Sequence, residues 1–148
     1  IGAAVGLEPA PVAGLAEIDA GRAVGLLWTE WRDANPDLAE IMSNPQRSVT
    51  AGWEGGENGR QFGERVLTAY RELVTRHVGT DDVVVAVGHG GSLSWIAAAV
   101  HGDPLDVWPG QRAGFRNCSI SEILVDESGH GEPGAWNQVG HLAHLNPA

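Results

Sequence analysis

Five consecutive apolar residues, four of them valine, occupy positions 83–87. Such a run predicts a strand that is buried on both faces, as in a parallel sheet covered by helices. A glycine-rich turn, residues 88–91, ends the run. Ser92 follows as a good N-cap, and the apolar positions after it predict a helix that extends to about Val100.

Further helices are predicted elsewhere by apolar positions at three- and four-residue steps. The clearest pattern covers residues 61–78 and is followed by Gly79 as a C-cap. Asn-Pro-Asp at residues 35–37 opens another helix, which ends by residues 43–45. Residues 26–31 predict a short helix that carries two tryptophans.

The remaining segments predict short strands and loops. Residues 12–15 form a candidate strand, and residues 117–125 and 136–142 predict two strands paired antiparallel across an acidic, glycine-rich loop. Residues 46–59 are polar and glycine-rich, as is typical of a lid or a binding loop. A buried strand between helices, with an antiparallel edge at the C-terminus, predicts an α/β fold with a mixed, mostly parallel sheet.

Length and composition predict one globular domain over residues 1–148, with 43% hydrophobic and 19% charged residues. The net charge is −10, and all nine basic residues are arginine. This acidic balance argues against nucleic acid or an anionic membrane as the main partner. A single cysteine, Cys118, excludes an internal disulfide, and no run reaches transmembrane length. We expect a reduced, cytoplasmic protein.

The turn after residues 83–87 has the composition of an anion-binding site. Open α/β sheets bind ligands beyond the carboxyl ends of their strands. Gly90 and Gly91 would let backbone amides approach an anion, which the N-terminus of the following helix also favours. His89 in this turn predicts phosphate chemistry, and a histidine that only caps or packs is the alternative.

A second group of candidate residues comes earlier in the chain. Residues 15–25 carry Glu17, then a second carboxylate and two glycines, as in a loop; a plain surface charge is the alternative for Glu17. Arg22 and Trp28 are candidate substrate contacts, with surface and core roles as their alternatives. Glu57 is expected to cap the long helix. The histidines show no metal-ligand spacing with carboxylates, so we predict no metal site.

Five stretches together resemble the histidine phosphatase superfamily, also called phosphoglycerate mutase-like, in the same order along nearly the whole chain. The stretches are residues 15–25, 56–66, 83–92, 117–120 and 144–145. The strand that precedes His89 resembles the one carrying the family's second catalytic histidine, with Gly88 in place of the usual serine. Glu17, with glycines four and eight residues later, fits its acid loop. Gly-Glu-Asn at residues 56–58, seven residues before Arg65, resembles its Gly-Glu-Ser segment.

Two motifs of that family do not occur in the chain. They are the Arg-His-Gly strand, whose histidine becomes phosphorylated, and the Arg-Ala-x-x-Thr-Ala helix. Residues 1–5 resemble the tail of this helix, so the chain resembles the C-terminal two-thirds of the domain, truncated at its N-terminus. In the family the missing strand lies beside the strand that precedes His89. Buried backbone groups without partners cost about 1–3 kcal/mol each, so we expect an upstream segment or a complementing chain; the oligomeric state stays open.

The resemblance implies a role for each candidate residue. The absent histidine would form a phosphohistidine, while His89 and the amides of Gly90 and Gly91 bind the phosphoryl oxygens. Glu17 would protonate the leaving alkoxide and then take a proton from water. The implied activity is a phosphatase that acts on a small phosphorylated metabolite without a cofactor.

Three other functions are compared with this one. A phosphoglycerate mutase is an alternative, although the short, acidic insertion before His89 favours hydrolysis. A phosphate-binding module without catalysis is the alternative if the Arg-His-Gly motif is truly absent. An α/β-hydrolase is excluded, because no Gly-x-Ser-x-Gly elbow follows His89.

Overall fold

Helices dominate the computed structural model, which describes residues 2–44, 49–109 and 114–145. The helices are α1 (Gly2–Val5), α2 (Trp28–Ala34), α3 (Pro36–Ser43), α4 (Gly59–His77) and α5 (Gly90–Val100). Short 3₁₀ turns cover Ala13–Leu15, Gly21–Ala23 and Gly140–Leu145, and the strands are β1 (Ile123–Val125) and β2 (Gly131–Pro133). Within the described ranges, every helix is too short or too polar to cross a membrane.

The long helix α4 confirms the prediction for residues 61–78 to within two residues at each end. Its first turn is closed by a reciprocal pair: Gln61 N–H donates to the Asn58 side chain, and Asn58 N–H donates to the Gln61 side chain. Such a pair satisfies two of the backbone donors that a helix start leaves open. Phe62 and Val66, four residues apart, turn the apolar face of α4 into the core, where both are fully buried.

Helix α5 packs against α4 and completes the core. Trp95 is 2% exposed, and its indole lies against the Gly63 backbone, where no side chain separates the two helices. The buried cluster at this interface comprises Leu15, Val49, Phe62, Val66, Leu67, Ala69, Trp95 and Ile96. The predicted N-cap of α5, Ser92, is wrong by three residues, since His89 is the N-cap.

The sheet is smaller than the sequence predicts. In the part of the chain that the structure describes, β1 pairs antiparallel with β2, with Leu124 opposite Glu132, and a single bridge joins Ile120 to Gln138. The predicted strand over residues 117–125 is therefore limited to its last three residues. The strand predicted over residues 136–142 is reduced to the bridge of Gln138 with Ile120, which has the predicted antiparallel sense. A mostly parallel sheet is not seen among these residues.

The prediction of a buried strand over residues 83–87 is also wrong for this structure. The segment has no regular secondary structure and belongs to no sheet among the described residues, and Val83 is 91% exposed. A β-branched run forms a buried strand only when neighbouring strands supply hydrogen bonds on both sides. Likewise, the candidate strand at residues 12–15 is a 3₁₀ turn, whose Leu15 packs into the core.

The contact between α4 and α5 predicts the effect of Gly63→Ala. Alanine ordinarily stabilises a helix interior by about 1 kcal/mol relative to glycine. At Gly63, however, the new Cβ would lie 2.8 Å from two ring atoms of the buried Trp95. We expect a net loss of roughly 1–3 kcal/mol in the free energy of unfolding, because a packed core gives way only with strain.

Thermal unfolding followed by circular dichroism measures this loss. The matched control is Thr68→Ala on the exposed side of α4, which we expect to stay within about 0.5 kcal/mol of the wild type. A Gly63→Ala variant that is as stable as the wild type would contradict the packing described for α4 and α5.

Candidate active site

A bidentate ion pair connects α4 to the turn that precedes it. Arg65 Nε donates to Glu57 Oε1 at 2.8 Å, and Arg65 Nη2 donates to Glu57 Oε2 at 2.6 Å. The two side chains are only 28% and 21% exposed. This fork geometry is the strong form of an arginine–carboxylate pair. The expectation that Glu57 caps α4 is wrong: Asn58 is the N-cap.

The same guanidinium also holds the loop that carries Glu17. Arg65 Nη1 lies 3.2 Å from Ala13 O, 3.0 Å from Gly14 O and 3.2 Å from Ala16 O. Nη2 lies 3.3 Å from the backbone oxygen of Glu17. Four backbone carbonyls of one loop therefore lie within hydrogen-bond distance of a single guanidinium. No other side chain type offers a planar set of N–H groups that could bond all four.

Glu57 reaches the same loop from its other side. Asp19 N–H donates to Glu57 Oε2 at 3.0 Å, and Glu57 N–H donates to the backbone oxygen of Asp19 at 2.9 Å. The backbones of Gly21, which has a φ of +50°, and Gly56 are in direct contact. A Cβ atom on either residue would overlap the backbone of the other segment. Glycine is required at both positions for this close approach.

The ion pair changes the titration of both its members. Hydrogen bonding to Arg65 holds the pKa of Glu57 below its usual range, although partial burial opposes the shift. The bond to Glu57 raises the pKa of Arg65. Both groups are therefore charged near neutral pH, and the loop contacts depend on that charge.

The Glu17 side chain lies against the first turn of α5. Gly91 N–H donates to Glu17 Oε2 at 3.0 Å, and Ile18 N–H donates to Glu17 Oε1 at 2.9 Å. A Cβ on Gly91 would overlap the Glu17 carboxylate. A carboxylate is favoured at this position because the first amides of a helix are open donors at the positive end of its dipole.

His89 precedes this turn and is exposed. Two hydrogen bonds with Ser92 fix its backbone: His89 N–H donates to Ser92 Oγ at 3.2 Å, and Ser92 Oγ donates to His89 O at 3.0 Å. Ser94 Oγ donates to the backbone oxygen of Gly90 at 2.6 Å. The structure thus brings four predicted site residues to one turn: Glu17, His89, Gly90 and Gly91.

Arg22 and Trp28 lie around the neighbouring turn at residues 53–56 and do not contact Gly91. Arg22 pairs with Glu54 at 2.6 Å, and both side chains are largely exposed. The Trp28 ring stacks on Trp31 with centroids 5.0 Å apart, and Trp31 contacts Trp53 at 4.7 Å. Trp31 is buried, whereas Trp28 is 53% exposed. The structure assigns no ligand to either predicted contact.

Neither a surface groove nor a metal-binding cluster includes Glu17 or His89 in the described residues. An open groove of about 570 Å³ runs between residues 12–14 and the outer side of α4, and neither Glu17 nor His89 lines it. Across the described ranges, no three His, Cys, Asp or Glu side chains are arranged to hold a metal ion. The turn at Gly91 is therefore the feature with the clearest chemistry.

Arg65 is the residue whose importance the sequence reasoning missed. In the sequence, Arg65 was used only to give the distance from the Gly-Glu-Asn segment at residues 56–58. A local signal existed, since Arg65 directly precedes Val66 and follows Phe62 by three residues, at the edge of the buried face of α4. A cation at such an edge needs a partner, but the sequence does not indicate that Glu57, which precedes α4, is that partner.

A family comparison agrees with this geometry. The model of the histidine phosphatase superfamily (branch 1) matches residues 1–138. The chain therefore belongs to this superfamily.

A curated relative of the chain is named as a phosphatase. The chain is 34% identical over 90 residues to the glucosyl-3-phosphoglycerate phosphatase of Mycolicibacterium vanbaalenii. This match covers 57% of the chain and 40% of the relative, so the chain spans about two fifths of that protein's length.

Solved structures of a mycobacterial glucosyl-3-phosphoglycerate phosphatase share the fold. The native form superposes with a TM-score of 0.71 at 25% identity, covering 92% of this chain and 68% of the other. The complex with inorganic phosphate gives 0.73 at 24% identity, covering 93% and 68%. The fold class is thus that of histidine phosphatases, with helices around a small sheet in the described residues.

The ion pair predicts how stability depends on pH. The Glu57 pKa in the folded protein lies below its ordinary value of 4.5, so its contribution is present above that pH and is lost as the pH falls through the folded-state pKa. Glu57→Gln should lower the free energy of unfolding by roughly 1–3 kcal/mol near neutral pH. This difference from the wild type should shrink well below pH 4.5.

Urea unfolding at both pH values measures the difference. Glu64→Gln, on the exposed side of α4, is the control and should show little change at either. An equal deficit of Glu57→Gln at neutral and acid pH would mean that the charge of Glu57 does not stabilise the fold.

Proposed function

We propose that the protein is a phosphomonoesterase that hydrolyses a small phosphorylated metabolite through a phosphohistidine intermediate. One observation carries this proposal: the Glu17 carboxylate is hydrogen-bonded to the Gly91 amide, two residues after His89. A carboxyl group, which can take up and give a proton, therefore lies directly beside an anion-binding turn. That combination is what transfer of a phosphoryl group to water requires.

The proposed reaction has two displacements. A histidine nitrogen attacks phosphorus, the ester P–O bond breaks, and Glu17 gives its proton to the leaving alkoxide. Water then attacks phosphorus, the P–N bond breaks, and Glu17 takes the proton that water loses. His89 and the Gly91 amide donate to the phosphoryl oxygens, on which charge is spread in a loose transition state. On binding, the phosphoryl group takes the amide that Glu17 holds, and the freed Glu17 carboxyl group, protonated from solvent, turns toward the leaving oxygen.

The nucleophile in this proposal comes from a segment upstream of the residues described. Support comes from residues 83–87, a mostly β-branched run that lies exposed and outside any described sheet. Burying these valines between paired strands would gain about 25 cal/mol for each Å² of apolar surface covered. A strand added there would end beside His89, where the attacking histidine is needed.

The names of the relatives suggest which substrate to test first. Glucosyl-3-phosphoglycerate carries a sugar and a carboxylate besides its phosphate. The exposed Trp28 ring suits stacking against a sugar, and Arg22 could exchange Glu54 for a carboxylate of the substrate. We propose these two residues as contacts for the part of the substrate that is not transferred.

Release of phosphate by the natural full-length protein tests the proposal. With glucosyl-3-phosphoglycerate as substrate, His89→Ala should lower kcat by roughly 10²–10³-fold, the typical cost of losing one donor to the transition state. His130→Ala, an exposed histidine in the β1–β2 hairpin, is the matched control and should keep wild-type kcat. Acid-labile labelling of the protein during turnover would report the phosphohistidine.

Three other outcomes would contradict the proposal, and each would indicate a different function or site. Binding of inorganic phosphate without any turnover would indicate a phosphate-binding module. Transfer of the phosphoryl group within the substrate, without release, would indicate a mutase. Full activity of His89→Ala would remove the assigned phosphate site.

A further inference from the structure

The geometry points to Arg65 as the positioning residue that holds Glu17 in place for proton transfer, with Glu57 as its partner. This inference rests on the phosphatase function proposed above and adds a requirement to it. Arg65 touches no reacting atom in this assignment. It acts through the backbone of the loop that carries Glu17.

Few apolar contacts hold the Glu17 loop. Within residues 13–19, all of which the structure describes, Leu15 is buried in the core and the half-buried Ile18 packs against it. The loop backbone is fixed by polar contacts: four carbonyls bond Arg65, and Asp19 bonds Glu57. General acid catalysis needs the proton within hydrogen-bond reach of the leaving oxygen, and Arg65 is the side chain that bonds the backbone of Glu17 itself.

Arg65 is itself held rigidly enough to impose a position. Both ends of its fork are fixed by the Glu57 carboxylate, and its Cζ atom lies 5.2 Å from the ring centroid of the fully buried Phe62. The residue thus joins the core of α4 to the loop. A displacement of about 1 Å at such a joint can cost on the order of a hundredfold in rate.

Lysine could not replace Arg65 in this role. A lysine keeps the positive charge but has three donors on a single nitrogen. It could pair with Glu57 or bond one or two loop carbonyls, but it could not serve both sides with planar, parallel bonds. Arg65→Lys therefore separates the charge of Arg65 from its geometry.

The test compares two substrates that differ in their need for a general acid. An alkyl phosphate has a poor leaving group and needs the Glu17 proton, whereas p-nitrophenyl phosphate has a good leaving group and needs it little. In the natural full-length protein, Arg65→Lys should lower kcat/KM for the alkyl phosphate by on the order of ten- to a hundredfold, which is part of the roughly 10²–10⁴-fold that a general acid contributes. For p-nitrophenyl phosphate, kcat/KM should change by less than about threefold. The comparison uses kcat/KM because it covers the steps up to departure of the leaving group and excludes the attack of water, in which Glu17 acts as base for both substrates.

Further variants connect the effect to Glu17. Glu17→Gln should show the same selective loss, and combining it with Arg65→Lys should add little, because both changes remove one function. Glu57→Gln should reproduce a weaker form of the pattern. Arg71→Lys, an exposed arginine on the same helix, is the matched control and should leave both substrates unaffected.

Hydrogen exchange supplies a readout that does not depend on turnover. In Arg65→Lys, amides of residues 13–19 should exchange faster while those in the middle of α4 stay protected. Equal loss on the two substrates, an additive double variant or unchanged exchange in the loop would overturn this inference and leave the phosphatase proposal standing. A wild-type protein inactive on both substrates would instead overturn the phosphatase proposal, and this inference with it.

Discussion

One partly buried cation, Arg65, determines how the segments of the candidate site meet. A guanidinium in such a position must be paired and hydrogen-bonded, because an unpaired charge away from water is costly. Glu57 satisfies one side of it and the carbonyls of residues 13–17 satisfy the other. The acid loop, the turn before α4 and α4 itself therefore form one polar unit.

A second joint connects that unit to α5. Trp95 packs α5 onto α4 at Gly63, and the Glu17 carboxylate reaches from the loop to the Gly91 amide. Helix α4 thus positions both halves of the site, the acid through Arg65 and the anion-binding turn through Trp95. The acid loop and the anion-binding turn are therefore both placed by contacts to α4. Such fixed placement suits a reaction whose rate depends strongly on how the reacting groups are positioned.

Elements whose determinants are local were predictable from the sequence. Helices α3, α4 and α5 follow from caps and from apolar spacing, so their bounds were predicted to within three residues. The run at residues 83–87 has an equally strong local pattern, but a strand also needs partners distant in sequence. The same dependence explains why the strand predicted at residues 136–142 keeps a single bridge, since β1 pairs instead with the nearer β2.

The candidate site likewise combines features that local sequence predicts with features that depend on residues distant in the chain. The glycine-rich turn pointed to His89 and the loop at residues 15–25 to Glu17, but only the family resemblance joined them in one site, since nothing local connects residues that are 72 positions apart. Glu57 was given a capping role because its position before α4 suited one, whereas Asn58 forms the cap and Glu57 binds Arg65. An ion pair eight residues apart, which starts outside the helix, has no periodic signature. It becomes visible only when the loop carbonyls that share Arg65 are located in space.

The central claim is that Glu17 and a phosphoryl group use the same Gly91 amide. Titration of inorganic phosphate into the ¹⁵N-labelled natural protein, followed by NMR, tests it most directly. Because Glu17 bonds both Gly91 N–H and Ile18 N–H, its displacement should shift both amide signals along one binding curve. A Gly91 signal that does not respond to phosphate, or that shifts while Ile18 stays unchanged, would contradict the account.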